Sequence, residues 1–126
     1  MQVSAHNSQR IPATMICMAI AQTPEPPYHV AVITVERSDS DDGYLEMSGA
    51  MYELAQAQPG FLGMEWVHDI GQRMGITASY WTDAEAIAAW KQHADHLIAQ
   101  RLGQEHWYRA YTVRIARVER DYRWPG

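Results

Sequence analysis

The sequence predicts an α+β domain of β-α-β-β-α-β order, the ferredoxin-like split βαβ arrangement, with a four-stranded antiparallel sheet and both helices on one face. Three observations carry this expectation. Tyr28–Arg37 (YHVAVITVER) is rich in β-branched residues and apolar on both faces. Two stretches, around Tyr44–Leu54 and from Asp83 onward, place apolar residues at helical spacing. Between them, two short strand-like runs are joined by a hairpin-type connection.

Taken in order, residues 1–14 are unpatterned and read as an N-terminal extension to a single domain over 15–126. Residues 15–21 (MICMAIA) form a short apolar run, a strand or edge segment. TPEPP at 23–27 is a rigid extended connector, because proline fixes φ and pushes the preceding residue to extended geometry. After the first strand, SDSDD at 38–42 offers side-chain caps and acids for the positive end of a helix. That helix carries Tyr44, Met47, Met51 and Leu54, and Gln58-Pro59-Gly60 ends it. Phe61–His68 and Arg73–Thr82 are the middle strands, with Asp69-Ile70-Gly71-Gln72 between them. Asp83 caps a second helix over about 83–101, whose core face is Ile87, Trp90, Ala94, Leu97 and Ile98. Gly103 ends it, and a last strand follows over Ala110–Tyr122. With the helices on one side, the other sheet face stays apolar and uncovered. A second copy of the chain, packed face to face about a twofold axis, would bury both.

The 126 residues suffice for one core without disulfides or metal. The lone Cys17 excludes an intrachain disulfide framework. No apolar run approaches the roughly 18 residues of a membrane span, and no secretory signal opens the chain, so a cytoplasmic protein is expected. Residues 1–100 carry a net −8 and residues 101–126 a net +3. The arginines of the last segment are interleaved with acids and apolar residues, so a solvated strand face is expected rather than a nucleic-acid surface. Five Trp and seven Tyr against a single Phe61 suit a partly wet interface or ligand pocket.

Several segments are familiar. Pro24-Glu25-Pro26-Pro27-Tyr28, Pro59–Glu65 (PGFLGME), Ser79–Trp90 (SYWTDAEAIAAW) and the closing stretch with His96, Gly103, Trp107-Tyr108, Tyr111, Arg114, Arg120 and Tyr122 resemble the antibiotic biosynthesis monooxygenase family. The resemblance spans about 100 residues and implies a dimeric α+β barrel. One characterised group of that family oxidises polycyclic phenols to quinones with O₂ and no cofactor. Another binds and degrades heme, using an Asn on the first strand, a Trp, and a heme-ligating His on the second helix. Here Trp90 stands at the Trp position, Gln100 where the ligating His would fall, and the first strand has no Asn.

The residues supply candidates of their own. His93 and His96 form an H-x-x-H pair on the second helix, next to Asp95, with His106 the available third ligand. Two surface histidines are the plainer reading, and no metal is expected. On a helical wheel His96 lies about 140° from the core face. A His near neutral pKa can serve as a base toward a phenol. Glu65 and Trp66 alternate on the second strand, so they face opposite ways. Glu65 is expected in a salt bridge with Arg114 or Arg117. The functional expectation is a cofactor-independent monooxygenase for a polycyclic phenol-like molecule. Catalytic roles are expected of His96, His93 and Trp90, in a small hydrophobic pocket between helices and sheet. Trp66, Tyr80, Trp81, Gln100, Trp107 and Tyr111 are expected to bind the substrate. The alternatives are a non-catalytic ligand-binding or stress-associated homodimer of the same fold, and heme binding through His93 or His96.

Overall fold

The computed structural model describes residues 19–41, 43–100 and 107–126, the side chains of 97–100 excepted. The proposed extension 1–14, Cys17, His106 and the Gly103 stop lie outside the described residues, as do the side chains of Leu97, Ile98 and Gln100. The elements run β1 (Tyr28–Arg37), α1 (Tyr44–Gln56), β2 (Phe61–Asp69), β3 (Met74–Trp81), α2 (Ala84–Gln100) and β4 (Tyr108–Val118). The sheet is antiparallel throughout, in the order β2-β3-β1-β4. This is the predicted split βαβ fold. No helix among the described residues is long and apolar enough to cross a membrane.

Pairing sets out the sheet in rows. On the helix-covered face, Met64, Ser79, Ala31 and Ile115 form one row, and His68, Gly75, Val35 and Tyr111 another. On the opposite face lie Glu65, Ala78, Val32 and Arg114, followed by Val67, Ile76, Thr34 and Thr112. Two irregularities change the simple alternation. One, between Phe61 and Gly63, turns Phe61 to the same side as Met64, so both pack on the core. The other, at Glu36/Arg37, pairs Glu36 with Ala110 but Arg37 with Tyr108.

The main core lies between the sheet and the helices: Ala31, Ala55, Trp81, Ile87, Trp90 and Ala94. Trp81 is fully buried, with Phe61 edge-on at 5.3 Å and Trp90 tilted at 5.4 Å between ring centroids. Its indole Nε1 donates to the buried Ser79 hydroxyl at 2.9 Å, which satisfies a polar group that would otherwise cost stability. Among the described residues, these side chains fill the space under α2 where the hydrophobic pocket is expected. A second cluster, Tyr44, Met47 and Trp107, holds the N-terminal end of α1.

Three local expectations need correction. The N-cap of α1 is Gly43 in the left-handed region (φ 75°), with no side-chain cap. Asp41, which offered one, instead accepts from Arg37 and Arg73 at 2.5 and 2.8 Å. Residues 19–27 form no strand, and β4 begins at Tyr108 and ends at Val118. Asp83 does cap α2, its Oδ1 accepting from the Ala86 amide at 2.8 Å.

The chain ends close one margin of the second face. Glu65 accepts from Tyr80 Oη at 2.6 Å and from the Ala21 amide at 2.9 Å. The expected Glu65 salt bridge is absent for a geometric reason. Arg114 shares its row but sits three strand spacings away, about 14 Å. Arg117 belongs to the other face and pairs with Glu119 at 3.3 Å. Burial and the Glu65 hydrogen bond raise the Tyr80 hydroxyl well above its ordinary pKa. Tyr28, raised by burial and by its hydrogen bond to Asp121, fixes the C-terminal tail in the same way.

Candidate functional site

The polar and aromatic side chains of the helix-covered face converge where β1 ends and α1 begins. Trp66 and His68 are two residues apart on β2, so strand alternation turns both toward the helices, with ring centroids 6.1 Å apart. His68 lies over Gly75 of β3. A Cβ at position 75 would stand 3.3 Å from the imidazole Cδ2 and 3.5 Å from Val35 Cγ2. Tyr44, the first residue of α1, faces His68 at 6.3 Å and Tyr108 edge-on at 6.4 Å. The irregularity at Arg37 brings Tyr108 to the same side as Tyr111, with the two rings 5.8 Å apart.

Arg37 is the charge at the centre of this group. Its side chain is only 7% exposed, and its guanidinium carbon lies 3.5 Å above the Tyr44 ring. One terminal nitrogen is tied to Asp41, whereas Nε is buried without a hydrogen-bond partner. Arg73 closes the outer side: Nε and Nη2 donate to the Ser38 carbonyl at 2.8 and 2.5 Å, and Nη2 also reaches Asp41. Those hydrogen bonds, from Arg73 first and then Arg37, hold the Asp41 carboxyl below its usual range. Both guanidinium groups donate to the one Asp41 carboxylate, and Asp69 is a second acid within electrostatic reach of His68.

His68 sits inside that field. Burial first, and then Arg37 and Arg73, depress its pKa below the ordinary histidine value, so the imidazole is neutral at pH 7. Its Nε2 is buried and unpartnered. Burial, with Tyr44 adding to it, raises the Tyr108 hydroxyl above its usual pKa, so it too stays protonated. The arrangement provides a neutral nitrogen and a cationic N–H donor beside four aromatic rings.

The sequence-named residues divide among several places. Trp66, Trp107 and Tyr111 belong to this end of the sheet: Trp66 is half-buried, Trp107 buried beside Tyr44, and Tyr111 is 44% exposed. Trp81 and Trp90 are core residues, and the Trp90 indole nitrogen has no partner. Tyr80 lies on the opposite sheet face. His93 and His96 are exposed on α2. No three His, Cys, Asp or Glu among the described residues are grouped to hold a metal ion. Arg37 and His68 were missed. The available signal was His68 at two residues from Trp66 on one strand face, opposite a glycine in the next strand.

Comparison with known proteins matches this architecture. The sequence profile described as antibiotic biosynthesis monooxygenase covers residues 28–102. The uncharacterized protein YqjZ of Bacillus subtilis (strain 168) is 44% identical over 102 residues, spanning 81% of this chain and 89% of that protein. Among solved structures, PA3566 of Pseudomonas aeruginosa superimposes with a TM-score of 0.57 at 18% identity, over 79% of this chain and 99% of the other. SnoaB of Streptomyces nogalater, a cofactor-independent oxygenase, gives a TM-score of 0.57 at 10% identity, over 80% of this chain and all of SnoaB. At such identities the structural likeness speaks for the fold alone. The profile match over most of the domain and the Bacillus relative speak for descent: the chain belongs to the antibiotic biosynthesis monooxygenase family.

Proposed function

We propose that the protein is a cofactor-independent monooxygenase that acts with O₂ on a polycyclic, phenol-like aromatic molecule, and that it works as a homodimer joined through the sheet faces. The observation that carries this reading is the neutral, unpartnered His68 Nε2 among Trp66, Tyr44, Tyr108 and Tyr111. A substrate of this kind supplies its own electrons once deprotonated. His68 takes the proton, so it assumes the base role first assigned to His93 or His96. The electron-rich anion reduces O₂; one oxygen atom ends as a new ring carbonyl and the other leaves as water. For an anthrone, a ring CH₂ and O₂ become C=O and H₂O. The rings, Trp66 and Tyr111 foremost, orient the polycycle and keep water from it.

The exposed Val67 and Ile76 of the second sheet face support the dimer, because they sit side by side as an apolar pair, in a row completed by Thr34 and Thr112. The filled space under α2 favours a second reading, a ligand-binding dimer that no longer carries out the chemistry.

Thermal-shift measurements with anthrone, hydroxylated naphthoquinones, flavin and hemin, followed by O₂ uptake, separate these readings. A ligand at 100 times its Kd adds about 2.7 kcal/mol to stability. The oxygenase reading expects a shift with anthrone and one O₂ consumed per quinone formed. It also expects His68→Gln to slow turnover by about 10²-fold or more. A shift without O₂ uptake supports the binding protein. A shift with hemin alone, or none with any polycycle, overturns the proposal.

A further inference from the structure

A second feature of the molecule lies outside both the candidate site and the family profile, which ends at residue 102. Between the connector ahead of β1 and the tail behind β4 runs an open cleft of about 510 Å³, lined by Glu25, Pro26, Glu119, Arg120, Asp121 and Tyr122. The tail is fixed in place beside it. Tyr28 Oη donates to Asp121, and Arg123 Nη1 reaches Gln22 Oε1 at 3.4 Å. These ties turn Asp121 and Arg123 back toward the domain, while the residues alternating with them stand in solvent: Tyr122 is 98% exposed and Trp124 92%. Large aromatic side chains with a polar tip are the residue types that interfaces favour, and here an anchored segment presents two of them.

Charge and position both point to a second copy of this chain as the occupant. The cleft lining holds three carboxylates against one guanidinium, that of Arg120. Glu119 is shared with Arg117 at 3.3 Å and Asp121 with Tyr28, whereas Glu25 has no ion-pair partner among the described residues. Arg123 uses one of its five N–H donors on Gln22. The cationic, aromatic tip and the acidic cleft therefore share one patch, and a patch that carries both halves of a contact is self-complementary about a twofold axis. That patch borders the sheet face proposed to be buried: Tyr28 and Val118, register partners at the end of that face, lead directly into the connector and the tail. We propose that Arg123 and Trp124 of each copy dock in the cleft of the other, Trp124 against Pro26 and Tyr122 and Arg123 on the Glu25 carboxylate, so that the two tails clasp the dimer at its margin. The inference rests on the homodimer reading above and adds the contact that secures it. Each tail is already held by Tyr28 and Gln22 before the partner arrives, so less ordering entropy opposes docking.

The test reads the dimer and the clasp separately, by sedimentation equilibrium of the full chain. The wild type is expected to dimerise, and Trp124→Ala to raise the dissociation constant by about tenfold or more, as the loss of an aromatic anchor does at an interface. Glu25→Arg and Arg123→Glu are each expected to weaken self-association, because each homodimer then sets like charges together. Mixed in equal amounts, these two variants should form a heterodimer of wild-type affinity, since both pairs between the copies are restored. All three positions are exposed, so the substitutions leave the core intact. An unchanged dissociation constant in Trp124→Ala, or a mixture no tighter than its single variants, overturns the inference and leaves the sheet-face dimer standing. A monomeric wild type overturns both.

Discussion

Gly75 and His68 are neighbours across β2 and β3, and the missing side chain of one makes room for the imidazole of the other. A methyl group at position 75 would sit 3.3 Å from the imidazole and 3.5 Å from Val35, tighter than ordinary packing on the imidazole side. Gly75 is not among the positive-φ glycines, so alanine is conformationally allowed there.

Gly75→Ala therefore separates the site from the fold. Lower unfolded-state entropy contributes about 0.4–1 kcal/mol in favour of the variant and offsets part of the crowding. The melting temperature is expected to stay within a few degrees of wild type. The imidazole is expected to shift by a few tenths of an ångström, and polycycle binding to fall by about tenfold or more, because misplacement in a site is costly. Thermal melts alongside titration with anthrone check both expectations; unchanged binding would detach His68 from the site.

The depressed His68 pKa makes stability depend on pH in a definite direction. In the unfolded chain His68 protonates near 6.5, and in the folded protein at a lower pH, because burial and the two arginines oppose the charge. Between those values the unfolded state binds more protons, so stability rises with pH and is lost as pH falls below 6.5. Asp41 adds a second acid limb lower down: its stabilising ion pairs are present above its ordinary 3.8 and lost as pH falls through its depressed folded value. Denaturant midpoints between pH 4 and pH 8 should show the upper limb in wild type and its loss in His68→Gln.

Arg73 adopts φ 55°, the only positive-φ residue other than glycine among the described residues. Left-handed backbone costs a side-chain-bearing residue about 1–2 kcal/mol. Here it aims the guanidinium at Ser38 and Asp41. Arg73→Gly and Arg73→Ala both remove those bonds, but only glycine relieves the backbone. The glycine variant is expected to be the more stable of the two by about 1 kcal/mol in urea unfolding. Equal stabilities would show that the turn is not strained.

Val67 is 72% exposed and Ile76 51%, and they are register partners on the second sheet face. Replacing both with glutamate places like charges on the surface that the homodimer is proposed to bury. Analytical ultracentrifugation is expected to find a dimer for the wild type and a monomer for the double variant. A dimer that survives the double substitution must be joined elsewhere.

The sequence by itself determined the order of elements, because β-branched runs, helical spacing and Pro/Gly stops are local signals that survive into the folded chain. β1 falls at its expected residues, Asp83 caps α2, and alternation alone puts Trp66 on the face opposite Glu65. It also turned His96 away from the core, and the structure leaves that residue exposed.

The candidate site was decided by tertiary structure. Tyr108 and Tyr111 are three residues apart, so simple alternation would point them to opposite faces; the irregularity at Arg37 brings them together. Glu65 and Arg114 read as a plausible ion pair until strand order sets them three strands apart. Arg37 and Asp41 are four residues apart and His68 and Gly75 face each other across one hairpin, but nothing local in the chain links the first pair to the second. Their meeting follows from which strands pair and in what register, and those choices depend on burying Trp81, Trp90 and the rest of the core, not on any local pattern.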